Sequence, residues 1–437
     1  MTPSARLAAA IDLLAAMEAA PRKPADAVAN SFFRERRYMG GGDRRAISGL
    51  VWDVMRAWRR LGWWLEQKGQ VASARLRAGA RLLFDGFSLA EVEEMFEQGR
   101  FAAGALTRGE LSILTPLAGK TLDNPEMPRA VRLELPDWLL PHLEATFGDK
   151  LEDELAAMST PAPLDLRVNI LRGPRKEAQR SLACEGLHAE PTPLSPWGLR
   201  LPARLPVTTS VAFRDGLVEI QDEGSQLVAA ISGVEPQMRV LDYCAGAGGK
   251  TLAMAMMMEN KGHIVACDVS APRLEGAVKR LRRAGVHNVE RHLLVPGDKW
   301  AKRRAGSFDR VLVDAPCSGT GTWRRNPDAR FRTTEQDLTE LLEKQAAIMD
   351  RAAALVRAGG RMVYATCSLL CAENMDQVAA FLARHPDFKL VPSDSPDMPE
   401  ALRKESSISL TPLRDGTDGF FAAVMERAAP EPEAGIE

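Results

Sequence analysis

The spacing of apolar residues changes twice along the chain, and the changes divide it. In "SARLAAAIDLLAAMEAA" and "DRRAISGLVWDVMRAWRRLGWWLEQ", apolar residues return every three or four positions, as on a helix with one buried face. Asp43, following Gly40-Gly41-Gly42, is the residue type that caps a helix N-terminus. "SLAEVEEMFEQG" and "TRGELSILTPLAG" keep the helical period, so residues 1–127 are predicted to form a small bundle. "PDWLLPHLEATFGDKLEDELAAMSTPAP" then reads as two short helices, and "LDLRVNI" and "GLRLP" alternate like strands. Residues 128–210 are therefore expected to be a small α+β segment.

Past residue 210 the strands become short apolar runs: "MRVLDYC", "GHIVACD", "SFDRVLVDAP", "GRMVYATCS" and "GFFAAVMER". Helical patterns over 251–258, 271–284, 335–356 and 373–384 separate them. Strands without a polar face, alternating with helices, predict an α/β fold with a mostly parallel sheet covered on both sides. This domain is expected to span 211–427, and "PEPEAGIE" within 428–437 to be a disordered acidic tail.

Composition adds little to that picture. Apolar residues make 45% of the chain and charged ones 26%, as in a soluble globular protein. No apolar run is long enough to span a membrane, and six cysteines without paired close spacing, apart from Cys367 and Cys371, favour neither a disulfide framework nor a metal site. A reducing cytoplasm fits. The net charge of -1 conceals one asymmetry: between Arg34 and Arg60 eight arginines face three acids, a candidate RNA-binding patch. Trp58, Trp63 and Trp64 fall on the apolar face and are read as bundle core. His263, His287 and His292 lack metal-ligand spacing. The run Arg273 to Arg283 is equally readable as a solvated helix face or a contact surface.

Candidate chemistry gathers at strand ends. "AGAGGKT" follows "RVLDYC" and opens a helix, so Gly246, Gly248 and Gly249 are positioned to let a ligand approach the backbone. The next strand ends in Asp268, twenty-two residues after Gly246, where an acid accepts ribose hydroxyls in nucleoside-binding sheets. A phosphate loop is excluded by spacing: a glycine is needed where Cys244 stands. Asp314 and Cys317 lie at the end of another strand and Cys367 at the end of the next. Two thiols and a carboxylate beside a nucleoside cofactor suit covalent activation of a pyrimidine. A thiolate adds to carbon 6, which makes carbon 5 nucleophilic toward a methyl group.

"DYCAGAGGKT", "VDAPCSGTG", "RRNPDARF", "YATCS", "ENMDQVAAFL" and "DGTDGFFAAVMER" together resemble the RNA (cytosine-5)-methyltransferases of the RsmB/Sun type. The resemblance implies a Rossmann-like class I methyltransferase domain and S-adenosyl-L-methionine as cofactor. It implies Cys367 as nucleophile, Cys317 as the residue aiding product release, and Asp314 facing cofactor and base. Cys244, Ala245, Gly246, Ala247, Gly248, Gly249 and Lys250 would form the cofactor loop, with Asp268 on the ribose and Asp298 near the adenine. The family loop often reads C-A-A-P-G-G-K; Gly246 and Ala247 depart from it without removing a side chain that carries chemistry. The N-terminal helices resemble, more loosely, a NusB-like RNA-binding domain. Arg324 and Arg325 are expected to contact RNA phosphates, and Cys371 to be helix packing. The partner implied is RNA, ribosomal RNA or a small-subunit particle, and the chain is expected to act as a cytoplasmic monomer. Open alternatives are a tRNA cytosine-5 methyltransferase and a non-catalytic RNA-binding assembly factor.

Overall fold

The computed structural model describes residues 1–67, 69, 71–202 and 205–429; most of the expected tail at 428–437 lies outside them. The chain forms two compact units, Met1–Ser159 with Trp323–Glu335, and Thr160–Thr322 with Gln336–Glu437. Helices at 129–159 thus belong to the first unit and residues 160–210 to the second.

The first unit is helical. Its main helices are Pro3–Glu18, Ala25–Glu35, Gly41–Arg56, Trp58–Glu66, Ala74–Phe84, Leu89–Glu97, Leu140–Phe147 and Leu151–Ser159. They enclose a core that includes Leu13, Leu14, Val51, Leu61, Leu65 and Leu114. Ser88 and Glu91, and again Thr107 and Glu110, form capping boxes, each satisfying two backbone donors at a helix start. The long pattern beginning at Asp43 breaks at Ala57 into two helices. Asp43 is not a cap: Gly40 holds that position, and the Asp43 carboxylate accepts from Arg6 Nε at 2.8 Å and from the terminal amine at 3.1 Å. Trp64 is buried and donates its Nε1 to Leu122 O at 2.8 Å, as a core tryptophan should.

The basic patch is thinner than its sequence. Arg44 donates to Met39 O and Phe33 O, and Arg60 pairs with buried Glu134 at 2.9 Å, while Arg34, Arg37 and Arg45 are exposed. Arg324, expected on RNA, is buried at 6% exposure instead. Its segment is built into this unit: the Arg330 guanidinium lies 4.8 Å from the Trp323 ring centroid, and Ala25 N donates to Asp328 Oδ2 at 3.0 Å.

The second unit opens with a four-stranded antiparallel sheet of β1 (Leu164–Val168), β2 (Glu190–Pro191), β3 (Gly198–Leu201) and β4 (Val218–Ile220), in the order β2-β3-β1-β4. The larger sheet contains β5 (Arg239–Asp242), β6 (His263–Asp268), β7 (Val289–Leu293), β8 (Phe308–Asp314), β9 (Val356–Thr366), β10 (Phe388–Leu390), β11 (Ser407–Leu410) and β12 (Phe420–Arg427). Its order is β10-β12-β9-β8-β5-β6-β7, with β11 beside β12. Strands β9, β8, β5, β6 and β7 run parallel; β12 enters antiparallel against β9. Val240, Leu241, Val265, Leu312 and Val363 fill the centre from both faces, as continuous apolar strands require. The chain runs outward from β5 through β6 to β7, then returns to place β8 on the other side of β5. That reversal opens a crevice at the carboxyl ends of β5 and β8, the place where open α/β sheets hold ligands.

Candidate active site

The turn after β5 has the form that its glycines predict. Gly246 and Gly248 adopt φ of +54° and +78°, and the helix Gly249–Met257 starts directly behind them. Among the described residues nothing lies within 4 Å of where a Gly246 side chain would begin, so the loop faces open space. Behind it the packing is close, since a side chain at Gly248 would come within 3.2 Å of Ala277 Cβ.

Asp268 holds this turn from the neighbouring strand. Its Oδ2 accepts from Gly246 N at 2.9 Å and its Oδ1 from Ser270 N at 2.8 Å. A carboxylate has about four acceptor positions, so two are left beyond these bonds. Arg280 braces the opposite side, donating to Ala247 O at 2.7 Å and pairing with Glu219 at 3.5 Å. Together with Arg283, 2.5 Å from Glu219, it settles the basic helix 271–284: this part of it points into the fold. Asp298 follows β7, its Oδ2 2.7 Å from His292 Nε2 and its Oδ1 accepting from Trp300 N at 2.7 Å. The bond from Trp300 N, with His292 beside it, keeps this carboxyl below the usual carboxylate range. Among the described residues no group of His, Cys, Asp and Glu could hold a metal ion.

Under the turn lies a residue that sequence reasoning missed. Asp242, the last of β5, is buried and accepts from Thr251 Oγ1 at 2.6 Å, while its Oδ1 has no partner. Burial pushes its pKa up to about 7. Burial first, then the charges of Asp242, Asp314 and Asp268, raises the Cys244 thiol and keeps it protonated.

The second half of the site faces this one across the crevice. Lys250 Nζ donates to Asp314 Oδ2 at 2.6 Å, joining the glycine turn to the end of β8. Burial opposes the lysine's charge, but Asp314 more than compensates and holds the ammonium pKa above its ordinary value. Asp314 stands opposite Ala365 in the parallel β8–β9 register, so the residues that follow both strands leave the sheet together. Cys317 Sγ and Cys367 Sγ meet at 3.4 Å. Hydrogen bonding to Cys367 and burial, with the charges of Cys367 and Glu373, hold the Cys317 thiol well above its usual pKa. Cys371, expected in packing, is exposed at the start of a short 3-10 turn.

A glycine turn opening a helix at the switch point, with acids ending β6 and β8, is the layout of a Rossmann-like nucleoside-binding domain. More specifically, the chain belongs to the RsmB/F methyltransferase family. The family model for the 16S rRNA methyltransferase RsmB/F matches residues 230–426, and that for the ferredoxin-like domain of RsmF/B-like methyltransferases matches 135–208. The probable ribosomal RNA small subunit methyltransferase B of Synechocystis sp. is 32% identical over 414 residues, 88% of this chain and 92% of that protein. The crystal structure of PH0851 superposes with a TM-score of 0.78 at 27% identity, covering 98% of this chain and 99% of its own. A methyltransferase homolog from Pyrococcus horikoshii, 26% identical, covers 68% of this chain and 97% of its own, with a TM-score of 0.59.

Proposed function

We propose that the chain methylates carbon 5 of a cytosine in the RNA of the small ribosomal subunit, in the cytoplasm, through a covalent bond to Cys367. The single observation that carries the chemistry is the contact of two thiols, at 3.4 Å, beside the Lys250–Asp314 pair. The description of the family model and the name of the Synechocystis relative support the choice of ribosomal RNA.

The loop from Cys244 to Lys250, with Asp268 and Asp298, would hold S-adenosylmethionine, whose chemistry is to supply an electrophilic methyl group to carbon 5. Cys367 gives up its thiol proton to water and its sulfur adds to carbon 6, while ring nitrogen 3 gains a proton from the Lys250–Asp314 pair, leaving carbon 5 enamine-like. After methylation the carbon-5 proton must leave, the carbon–sulfur bond must break, and nitrogen 3 must return its proton. Cys317 suits the first of these tasks. Its thiol is held protonated first by its hydrogen bond to Cys367 and then by burial and charge. Once Cys367 is a thioether, its part in that restraint lapses; Cys317 then loses its own proton to water, and the resulting thiolate takes the proton from carbon 5. The target base must be unpaired or flipped out to reach either sulfur.

Replacement of each cysteine tests this. Cys367→Ala should lose at least about a thousandfold in methylation and form no adduct with RNA. Cys317→Ala should methylate once and then accumulate RNA bonded through Cys367, as a slow, RNase-sensitive band on a denaturing gel. The reverse pattern would exchange the two roles, and full activity in both variants would end the covalent reading.

A further inference from the structure

The two thiols are held against each other by a group that neither cysteine motif contains. Glu373 is 0% exposed, in the short 3-10 turn Cys371–Glu373 that follows β9. Its Oε1 accepts from Ser318 N at 2.8 Å and from Gln345 Nε2 at 2.9 Å. Its Oε2 accepts from Ser318 Oγ at 2.5 Å and from Ser368 Oγ. All four donors are neutral. Ser318 directly follows Cys317 and Ser368 directly follows Cys367, so one buried carboxylate ties both cysteine loops to a single point. Tyr364 fixes that point from near the end of β9, donating its hydroxyl to Glu373 O at 2.7 Å. Gln345 also donates to Pro316 O at 3.0 Å, adding a second tie to the loop of Cys317.

The ties are unequal. Without Glu373 the loop of Cys367 keeps supports of its own, Asn374 Nδ2 donating to Ser368 O at 3.0 Å and Ser368 N to Thr366 Oγ1 at 3.2 Å. Bonds between the two loops also remain farther along the Cys317 loop, from Gly321 N to Cys367 O at 2.9 Å and from Leu369 N to Thr320 Oγ1 at 2.8 Å, so the change falls on Ser318, next to the thiol. Ser318 loses both its backbone and its hydroxyl bond to the carboxylate at once. We propose that Glu373 is a positioning residue that keeps the Cys317 loop in register with Cys367, and that it serves the exit step more than the attack. A buried carboxylate with four donors is costly to assemble, and a purely structural role for it needs no link to both cysteine loops.

The step affected rests on the roles proposed for the two cysteines; the positioning itself does not, and two measurements separate them. The first is closure of a Cys317–Cys367 disulfide by diamide, which takes up the two thiol hydrogens as the sulfur–sulfur bond forms. Glu373→Ala should close it at least about tenfold more slowly than the wild type, and Glu373→Gln, which keeps an acceptor and the volume, should recover most of the rate. The second is adduct accumulation with RNA at saturating S-adenosylmethionine. Glu373→Ala should keep cofactor affinity within about twofold and accumulate the adduct, as Cys317→Ala does. Should Glu373→Ala fail to fold, Ser318→Ala removes one of the same bonds and should slow closure by a smaller factor. Closure at the wild-type rate in the folded variants overturns the positioning. Slow closure without adduct, while Cys317→Ala does trap RNA, overturns the assignment to the exit step. If Cys317→Ala traps nothing, the division of cysteine roles has failed, and slow closure still supports the positioning.

Discussion

At the end of β5 the glycine turn is held by charged groups: Asp268 takes Gly246 N, Arg280 holds Ala247 O, and Lys250 reaches across to Asp314. Where β8 and β9 end, the cysteine loops are held by serine hydroxyls, a backbone amide and an amide side chain, gathered on one carboxylate without exposure. The difference matches what each half must do. In the proposed reaction, a loop that admits and releases a charged cofactor rests on ions of which Arg280 and Asp314 keep contact with water, at 24% and 30% exposure. Two sulfur atoms that, on the proposed mechanism, stay in contact through a cycle of bond making and breaking need short, dry, directional bonds that solvent does not compete for. The cofactor half should therefore respond to pH and salt, and the cysteine half should not change its geometry with either.

The largest effect expected from that contrast is on stability and comes from Asp242. Below about pH 4 its carboxyl is protonated in folded and unfolded chains alike and costs nothing. As pH rises the unfolded chain releases the proton first, while burial keeps it on the folded chain up to about 7. Stability should fall across that window by about 1.4 kcal/mol per pH step, to a total on the order of 4 kcal/mol. Asp242→Asn retains an acceptor for Thr251 and removes the titration. Urea unfolding at pH 5 and pH 8 should show the variant gaining on the wild type as pH rises. A constant difference between the two proteins would mean that Asp242 does not titrate in this range.

A smaller effect should separate the two halves directly. Asp268→Ala removes the acceptor of Gly246 N and Ser270 N together with the proposed ribose contact. Loss of hydrogen bonds to a charged acceptor should weaken S-adenosylmethionine by about 1.5–3 kcal/mol, roughly 10- to 150-fold, by calorimetry. At saturating cofactor the adduct through Cys367 should still form at the wild-type level. If adduct formation drops as far as cofactor affinity, the two halves are one mechanical unit and the contrast is wrong.

What the sequence disclosed follows the same division. Strands β5, β6, β8 and β9 announce themselves because burial on both faces leaves little but apolar residues, and chemistry then stands out where each run stops. The edge strand β7 does not: Val289–Leu293 is only partly buried and reads "VERHL", with neither an apolar run nor an alternation. The glycine turn and Asp268 are legible because backbone shape and strand-end position dictate residue type locally. Glu373 is not, since its partners lie 55, 28 and 5 residues away and meet it only once β8, β9 and helix Glu335–Ala353 have packed. In the sequence it opens "ENMDQVAAFL", one of the stretches that carry the resemblance, but nothing there shows what it touches. Asp242 hides for a related reason: an acid ending an apolar run looks like every other strand end until burial and Thr251 give it a particular state. The arginines mislead in the opposite direction, because sequence counts charge and structure spends it; Arg44, Arg60 and Arg280 all serve the fold.

The smallest effect, and the most direct test of a charge-supported cofactor loop, concerns Arg280. Its side chain is about a quarter exposed, at 24%, so its bond to Ala247 O and its pairing with Glu219 are only partly shielded from solvent. A hydrogen bond of this kind contributes on the order of 0.5–1.5 kcal/mol, and exposure places it toward the lower end. Arg280→Ala should then weaken S-adenosylmethionine by about two- to fivefold while leaving diamide closure of the two cysteines at the wild-type rate. Salt supplies the second arm. Raising it from 0.05 to 0.5 M (roughly a threefold shorter Debye length) should weaken cofactor binding more in the wild type than in the variant, because only the wild type has this ion pair to screen. Equal salt responses would show that Arg280 supports the loop as a neutral brace would, by shape alone. In that event the cofactor half, like the cysteine half, is held by geometry and not by charge.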